Sequence, residues 1–305
     1  PRRTPRNKHS DTPGHNVHGR RFVLTAKGPA PGLWLRRGAF LVRCEVPNRI
    51  TSRENDKIKY ACKLARSAAF RGGENAFFAE GLKLCTDLAA ACPLKVIYYT
   101  AAALEKTPAL ENLGRENYLV EEHVAEKLAE GASHQGVFGV FERPAARFED
   151  LPVPGRLLAL ERVQDPGNVG ALLRSAAAFG FEGVLLSPGC ADPFGPKALR
   201  ASMGAAARLK VVQTPHLPDA LAALRQKGVT ALAAALYNSR PLDEVPAELP
   251  GGVCLVIGSE GQGLTDAAVA ACDAAVRIPI TDKVESLNAG VAGSVLLWHF
   301  RGAGK

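Results

Sequence analysis

The chain has no C-x-x-C pair, a single methionine, few aromatics (6% of 305 residues) and no apolar run long enough to cross a bilayer. Each shortage excludes something. Its seven cysteines (Cys44, Cys62, Cys85, Cys92, Cys190, Cys254 and Cys272) are scattered and odd in number, which argues against a disulfide framework and a zinc site and for a reducing cytoplasm. No charged-then-apolar leader opens the sequence, so no membrane partner is expected. The glycine patterns of a Rossmann dinucleotide site and of a P-loop are missing, as are H-E-x-x-H and G-x-S-x-G. No metal-spaced His/Cys/Asp cluster occurs, so no metal is expected, and His299 reads as structural.

What is present begins with charge. The net +8 is carried by the first 50 residues, where eleven Lys/Arg face two acids, so the remaining chain is close to neutral. Residues 1–49, rich in Pro and Gly and without periodicity, read as a basic, disordered extension, with a capacity for phosphate contact but no assigned role. Residues 50–142 alternate helix and strand patterns. A helix is expected to start at Thr51 or Ser52, followed by a strand over 76–80, a helix over 81–91, strands at 95–100 and 118–120, a helix over 121–128 and a strand over 135–141. The proline-rich 143–155 reads as a linker. In 156–305, apolar strands at 157–160, 183–186, 210–212, 230–236, 254–257 and 275–278 alternate with helices at 169–179, 196–206, 217–226, 265–271 and 287–300. That pattern specifies a mostly parallel sheet covered on both faces, with ligands at the carboxyl ends of its strands.

Three segments fall at those ends: Asp165-Pro-Gly-Asn-Val-Gly170, Ile257-Gly-Ser-Glu-Gly-Gln-Gly-Leu264 and Ser286-Leu-Asn-Ala289. Each brings a turn or glycines together with carboxamides or a carboxylate. Asn168 suits a helix cap, with Val169, Leu172, Leu173 and Ala176 as the buried face behind it. Ser286 suits the cap of the last helix, whose Ala289, Gly290, Ala292, Gly293 and Ser294 form a face small enough for close packing.

Taken with their flanks, Leu158–Arg174, Val256–Leu264 and Ile278–Ala292 resemble, in order and spacing, the three motifs of the SpoU (TrmH-like) RNA ribose 2′-O-methyltransferases of the SPOUT class. The resemblance covers the second domain and extends more weakly to 50–142, which looks like the L30e-like substrate-binding domain found ahead of many members. It implies a parallel-sheet fold closed by a trefoil knot, S-adenosylmethionine as cofactor, and a homodimer with the active site near its interface. By motif position, Arg174, Asn168, Glu260 and Asn288 are the implied catalytic residues, and Gly258, Ile278, Leu287 and Ser286 the implied cofactor-binding ones. Arg174 is expected to bind the adjacent phosphate or the developing alkoxide, because a guanidinium does not readily deprotonate. Glu260 holds the loop or the RNA, or serves as base; Asn288 orients the ribose hydroxyl or the loop. Lys57, Lys59, Lys63, Arg66 and Arg71 are expected to grip folded RNA, ribosomal rather than transfer. A transfer-RNA enzyme, a base methyltransferase of the wider class and a non-catalytic RNA-binding protein of the same fold stay open as alternatives.

Overall fold

The computed structural model describes residues 33–37, 40–44, 48–131 and 133–302. The basic segment 1–32, expected to be disordered, lies outside them. Strands β1 (Leu33–Arg37) and β2 (Phe40–Cys44) pair antiparallel, with Leu33 opposite Cys44, so part of the expected irregular extension is a hairpin. Its runs of Leu, Trp, Phe and Val are good strand formers that the surrounding Pro and Gly obscure in the sequence.

The described residues from Asn48 on form one compact unit. Its first part is built from β3 (Asn48–Ile50), α1 (Asp56–Arg66), α2 (Ala68–Glu74), β4 (Ala76–Glu80), α3 (Leu82–Ala89), β5 (Leu94–Tyr99), α4 (Ala101–Lys106), β6 (Glu116–Val120), α5 (Glu122–Leu128) and β7 (Val137–Glu142). The five strands lie in the order β3-β6-β5-β7-β4, parallel from β3 to β5 and antiparallel at β7 and β4. The cap of α1 is Asn55, not Thr51 or Ser52: its side chain accepts from the Lys57 amide at 2.9 Å. The helices α2 and α4 are additions to the expected elements; Gly72 and Gly73 weaken the helical signal of the first.

The second part contains β8 (Gly155–Leu160), α6 (Pro166–Ala178), β9 (Gly183–Leu186), α7 (Pro196–Ser202), β10 (Lys210–Gln213), α8 (Leu217–Gln226), β11 (Thr230–Ala234), β12 (Arg240–Pro241), β13 (Gly252–Ile257), α9 (Asp266–Ala270), β14 (Ala274–Arg277) and α10 (Ala289–His299). All seven strands run parallel in the order β10-β9-β8-β13-β11-β14-β12. This is the expected fold class, a parallel-sheet α/β domain preceded by a smaller one. β8 and β13, which carry the first two motifs, are adjacent, so their loops emerge side by side.

One apolar core crosses between the two sheets, from Phe77 and Phe141 of the first to Phe194 and the β8–β13 strands of the second. The Phe77 and Phe194 rings lie 5.1 Å apart. At the same junction Arg71, 5% exposed, donates from Nε to Asp192 at 2.7 Å and from Nη1 to the Leu64 and Ala65 carbonyls. Arg71 therefore cannot grip RNA as expected; it is an internal clamp. Three of its four companions are also engaged, Lys57 with Glu116 at 2.7 Å, Lys59 with Glu54 at 3.3 Å, and Lys63 over the Phe70 ring at 4.2 Å. Among the described residues no helix is long and apolar enough to cross a membrane.

Candidate active site

The loop after β8 starts with a carboxylate that belongs to none of the expected site residues. Glu161 is 5% exposed, and its two oxygens accept from the Thr265 amide and hydroxyl, both at 2.8 Å. Charge-assisted bonds of this kind contribute about 1.5–3 kcal/mol each. They tie the first-motif strand to the end of the second-motif loop, where Thr265 caps α9. A lone acid closing the apolar run Leu-Leu-Ala-Leu was the available signal.

The cap of α6 is Asp165, with Pro166 in the first turn, and not Asn168. Asp165 Oδ1 accepts from the Asn168 amide at 2.9 Å and Oδ2 from Lys197 Nζ at 3.1 Å. These two partners, the amide first, hold the Asp165 carboxyl below the usual carboxylate range. Relieved of capping, the Asn168 side chain points across the cleft and donates from Nδ2 to Glu260 Oε1 at 2.7 Å. A carboxamide and a carboxylate from two different motifs thus form one pair.

The roles at the third motif are also exchanged. Ser286 is exposed and makes no cap; Asn288 caps α10, accepting from the Gly290 and Val291 amides at 2.9 and 3.2 Å. The α-carbon of Gly290 lies between the two carboxamides: a side-chain carbon there would meet Asn168 Oδ1 at 3.0 Å and Asn288 Oδ1 at 3.1 Å. Asn168, Glu260 and Asn288 therefore gather at one place, at the carboxyl ends of β8 and β13 and the start of α10. Replacing Asn168 with Asp should set two carboxylates face to face in place of a hydrogen bond. The expected result is a fall in kcat of about 10²-fold with helical content unchanged by circular dichroism.

The loop's own backbone requires glycine at 258. A Cβ there would lie 2.2 Å from the Gly263 carbonyl carbon and 2.4 Å from the Leu264 nitrogen. The loop closes on itself through paired Ser259 and Gly263 backbone bonds at 3.2 and 3.0 Å. Beyond β14, Ile278 and Leu287 are half-buried and Ile280 is 38% exposed, so apolar surface stays open at this end of the sheet.

Arg174 stands apart. It lies six residues after Asn168, about 9 Å further along α6, is exposed, and makes no side-chain hydrogen bond among the described residues. It lines a cavity of about 560 Å³ with Asp150, Glu182, Arg208 and Lys210, near the amino ends of the strands. The expectation that Arg174 and Asn168 face one cleft therefore does not hold within a single chain.

Residues 155–298 match the model of the SpoU rRNA Methylase family, and residues 55–139 that of the MRM3-like substrate binding domain. The chain is 31% identical, over 83% of its length and 99% of the relative's, to the 23S rRNA (guanosine(2553)-2′-O)-methyltransferase RlmP of Bacillus subtilis. Among solved structures, an AdoMet-bound rRNA methyltransferase from Sinorhizobium meliloti is similar at 28% identity and a TM-score of 0.73, covering 83% of this chain and 97% of that one. An RNA 2′-O ribose methyltransferase matches at 27% identity and a TM-score of 0.69, with 83% and 97% covered. A two-domain likeness over nearly the full length of these proteins, with all three motif loops at one end of the sheet, places the chain in the SpoU rRNA methylase family.

Proposed function

We propose that the protein transfers a methyl group from S-adenosylmethionine to a ribose 2′-hydroxyl of structured RNA, ribosomal rather than transfer RNA, and works as a homodimer. The observation that carries this reading is the junction of Asn168, Glu260 and Asn288 at the carboxyl ends of adjacent parallel strands. The residues around it suit the cofactor: Ile278 and Leu287 supply partly open apolar surface for an adenine, and the 258–264 and 286–288 segments supply backbone polar groups. Bound there, S-adenosylmethionine would present an electrophilic methyl on a sulfonium.

The chain's own part is placement and charge. Transfer forms a C–O bond to the ribose oxygen and breaks a C–S bond, with S-adenosylhomocysteine leaving and the hydroxyl proton passing to solvent. Asn168 fixes one oxygen of Glu260, which leaves the other to orient the loop or the RNA. Arg174 gathers the phosphate beside the reacting ribose and offsets the charge that grows on its oxygen. Residues 50–142 hold the RNA, and the two sheets are joined by the 143–155 segment.

Arg174 reaches a reacting ribose through a second copy. On α10, Val291, Val295 and Trp298 are 52, 37 and 53% exposed at i, i+4 and i+7, one continuous apolar stripe. With Ala171, Asn288, Gly290 and Ser294 they line a groove of about 400 Å³ beside α6, the helix that carries Arg174. A stripe of this kind suits burial against its own copy. Trp298→Lys is expected to convert a dimer into a monomer in sedimentation velocity and to abolish methyl transfer. A Trp298→Lys protein that stays dimeric would place the interface elsewhere.

The reaction is tested by incubating the protein with tritiated S-adenosylmethionine and total RNA from cells lacking this gene, then separating the RNA classes. Label in large ribosomal RNA supports the reading. Label in transfer RNA alone moves the substrate, and tight RNA binding without label makes the protein a binding module.

A further inference from the structure

Arg162 is a bulky residue in a left-handed backbone conformation, φ 53°, directly after the buried Glu161 and three residues before the α6 cap. Only Gly, and to a lesser degree Asn and Asp, adopts this region readily. The conformation is forced from both sides: Glu161 is anchored to Thr265, Val163 is fully buried, and the Arg162 amide donates to Ser187 Oγ at 3.0 Å. A glycine would satisfy the same backbone without strain, so the arginine side chain has to be explained by what it does.

Its position indicates what that is. The side chain is exposed, and its aliphatic stem lies over Gly189 in the turn between β9 and α7. That turn leads within three residues to Asp192, where the small domain is clamped through Arg71. Arg162 therefore sits at the carboxyl end of the sheet between the Asn168–Glu260 pair and the small domain. The acids nearest in the chain are already committed, Glu161 to Thr265, Asp165 to Lys197 and Asp192 to Arg71. Among the described residues the Arg162 guanidinium has no hydrogen bond or ion pair, while most of the expected basic helix on the small domain is paired within the protein.

We infer that Arg162 is a phosphate-binding residue for the RNA substrate, holding the backbone where the strand passes from the small domain to the reacting ribose. A guanidinium presents a planar fork that matches a phosphate's oxygens, and an exposed arginine without a carboxylate partner has its donors free for it. This inference rests on the proposed RNA methyl transfer. It assigns Arg162 to substrate binding and not to the chemical step.

Arg162→Gly separates this role from a structural one, because glycine relieves the backbone while removing the charge. The expected results are a melting temperature equal to or above that of the unaltered protein, unchanged S-adenosylmethionine affinity by calorimetry, and a KM for ribosomal RNA raised about tenfold with kcat nearly kept. The slope of log binding constant against log salt should fall by about 0.7–0.9, one phosphate's share. Arg162→Lys should restore most of the affinity and the slope. Equal RNA affinity and salt slope in Arg162→Gly would overturn the assignment, as would a joint loss of cofactor affinity and thermal stability. If the unaltered protein itself does not methylate RNA, the functional reading fails, a result distinct from an Arg162→Gly enzyme that matches an active parent.

Discussion

Arg174→Ala should lower kcat by about 10²–10³-fold while leaving S-adenosylmethionine binding and the dimer intact, as expected for the loss of one preorganised charge worth about 2.7–4 kcal/mol in the transition state. The residue is exposed and makes no side-chain hydrogen bond in its own chain among the described residues, so little stability is lost with it. Arg174→Lys tests the geometry, because it keeps the charge but loses the planar fork. Turnover near that of the unaltered enzyme would limit the role of Arg174 to charge. The assignment to a second copy is open to a direct check. A mixed dimer of Arg174→Ala and Asn168→Asp chains should regain up to one intact site, whereas a site built within one chain would show no such recovery. Single-turnover kinetics on the mixed preparation reads the difference.

The largest effect on stability is expected at the junction of the two sheets, where Arg71 meets Asp192. Both groups are nearly buried, and Arg71 also satisfies two helix carbonyls, so removing it leaves a carboxylate without its counter-charge and two acceptors unpaired. Arg71→Ala should cost about 3–5 kcal/mol, which corresponds to a fall of roughly 6–20 °C in melting temperature for a domain of this size. Asp192 also accepts from the Phe194 amide at 3.0 Å and so shapes the turn leading into α7. α7 packs against α6 at Gly170, where a Cβ would come within 2.5 Å of Ala201 Cβ. The small domain thus docks on the helix that braces Asn168. Calorimetric melting curves and thermolysin susceptibility would register the loss; an unchanged melting temperature would mean that the apolar core alone joins the two sheets.

Much of the architecture is legible in the chain because the alternation of apolar runs and helical periods is strong. β9 and α8 begin and end where that pattern puts them, and the parallel sheet follows from strands apolar along their whole length. Short or compromised elements are not legible: α2 contains two adjacent glycines, and β12 is two residues long and exists only because β14 offers an edge. The trefoil knot comes only with the family resemblance, since the path of a chain leaves no periodicity. At the site, the three motif loops are legible in their composition, but the helix caps inside them are not: Asp165 and Asn288 cap where Asn168 and Ser286 are expected. Asn168 and Asn288 are chemically alike, and a sequence does not say which carboxamide bonds its own helix and which reaches across the cleft. Both neighbours that decide the matter belong to Asn168: Asp165, three residues away, takes the cap, and Glu260, 92 residues away, takes the side chain. The basic helix misled for a related reason. Its charges are real, but their acids come from β6 and the segment ahead of α1, and Arg71 finds Asp192 in the other half of the molecule.

The most direct test of the account is the chemical position of the transferred methyl. Ribosomal RNA from cells lacking this gene, treated with the purified protein and S-adenosylmethionine and then digested to nucleosides, should yield one additional 2′-O-methylnucleoside by mass spectrometry, with a matching block to alkaline cleavage on its 3′ side. A methyl group on a base, with the ribose unmodified, would contradict it.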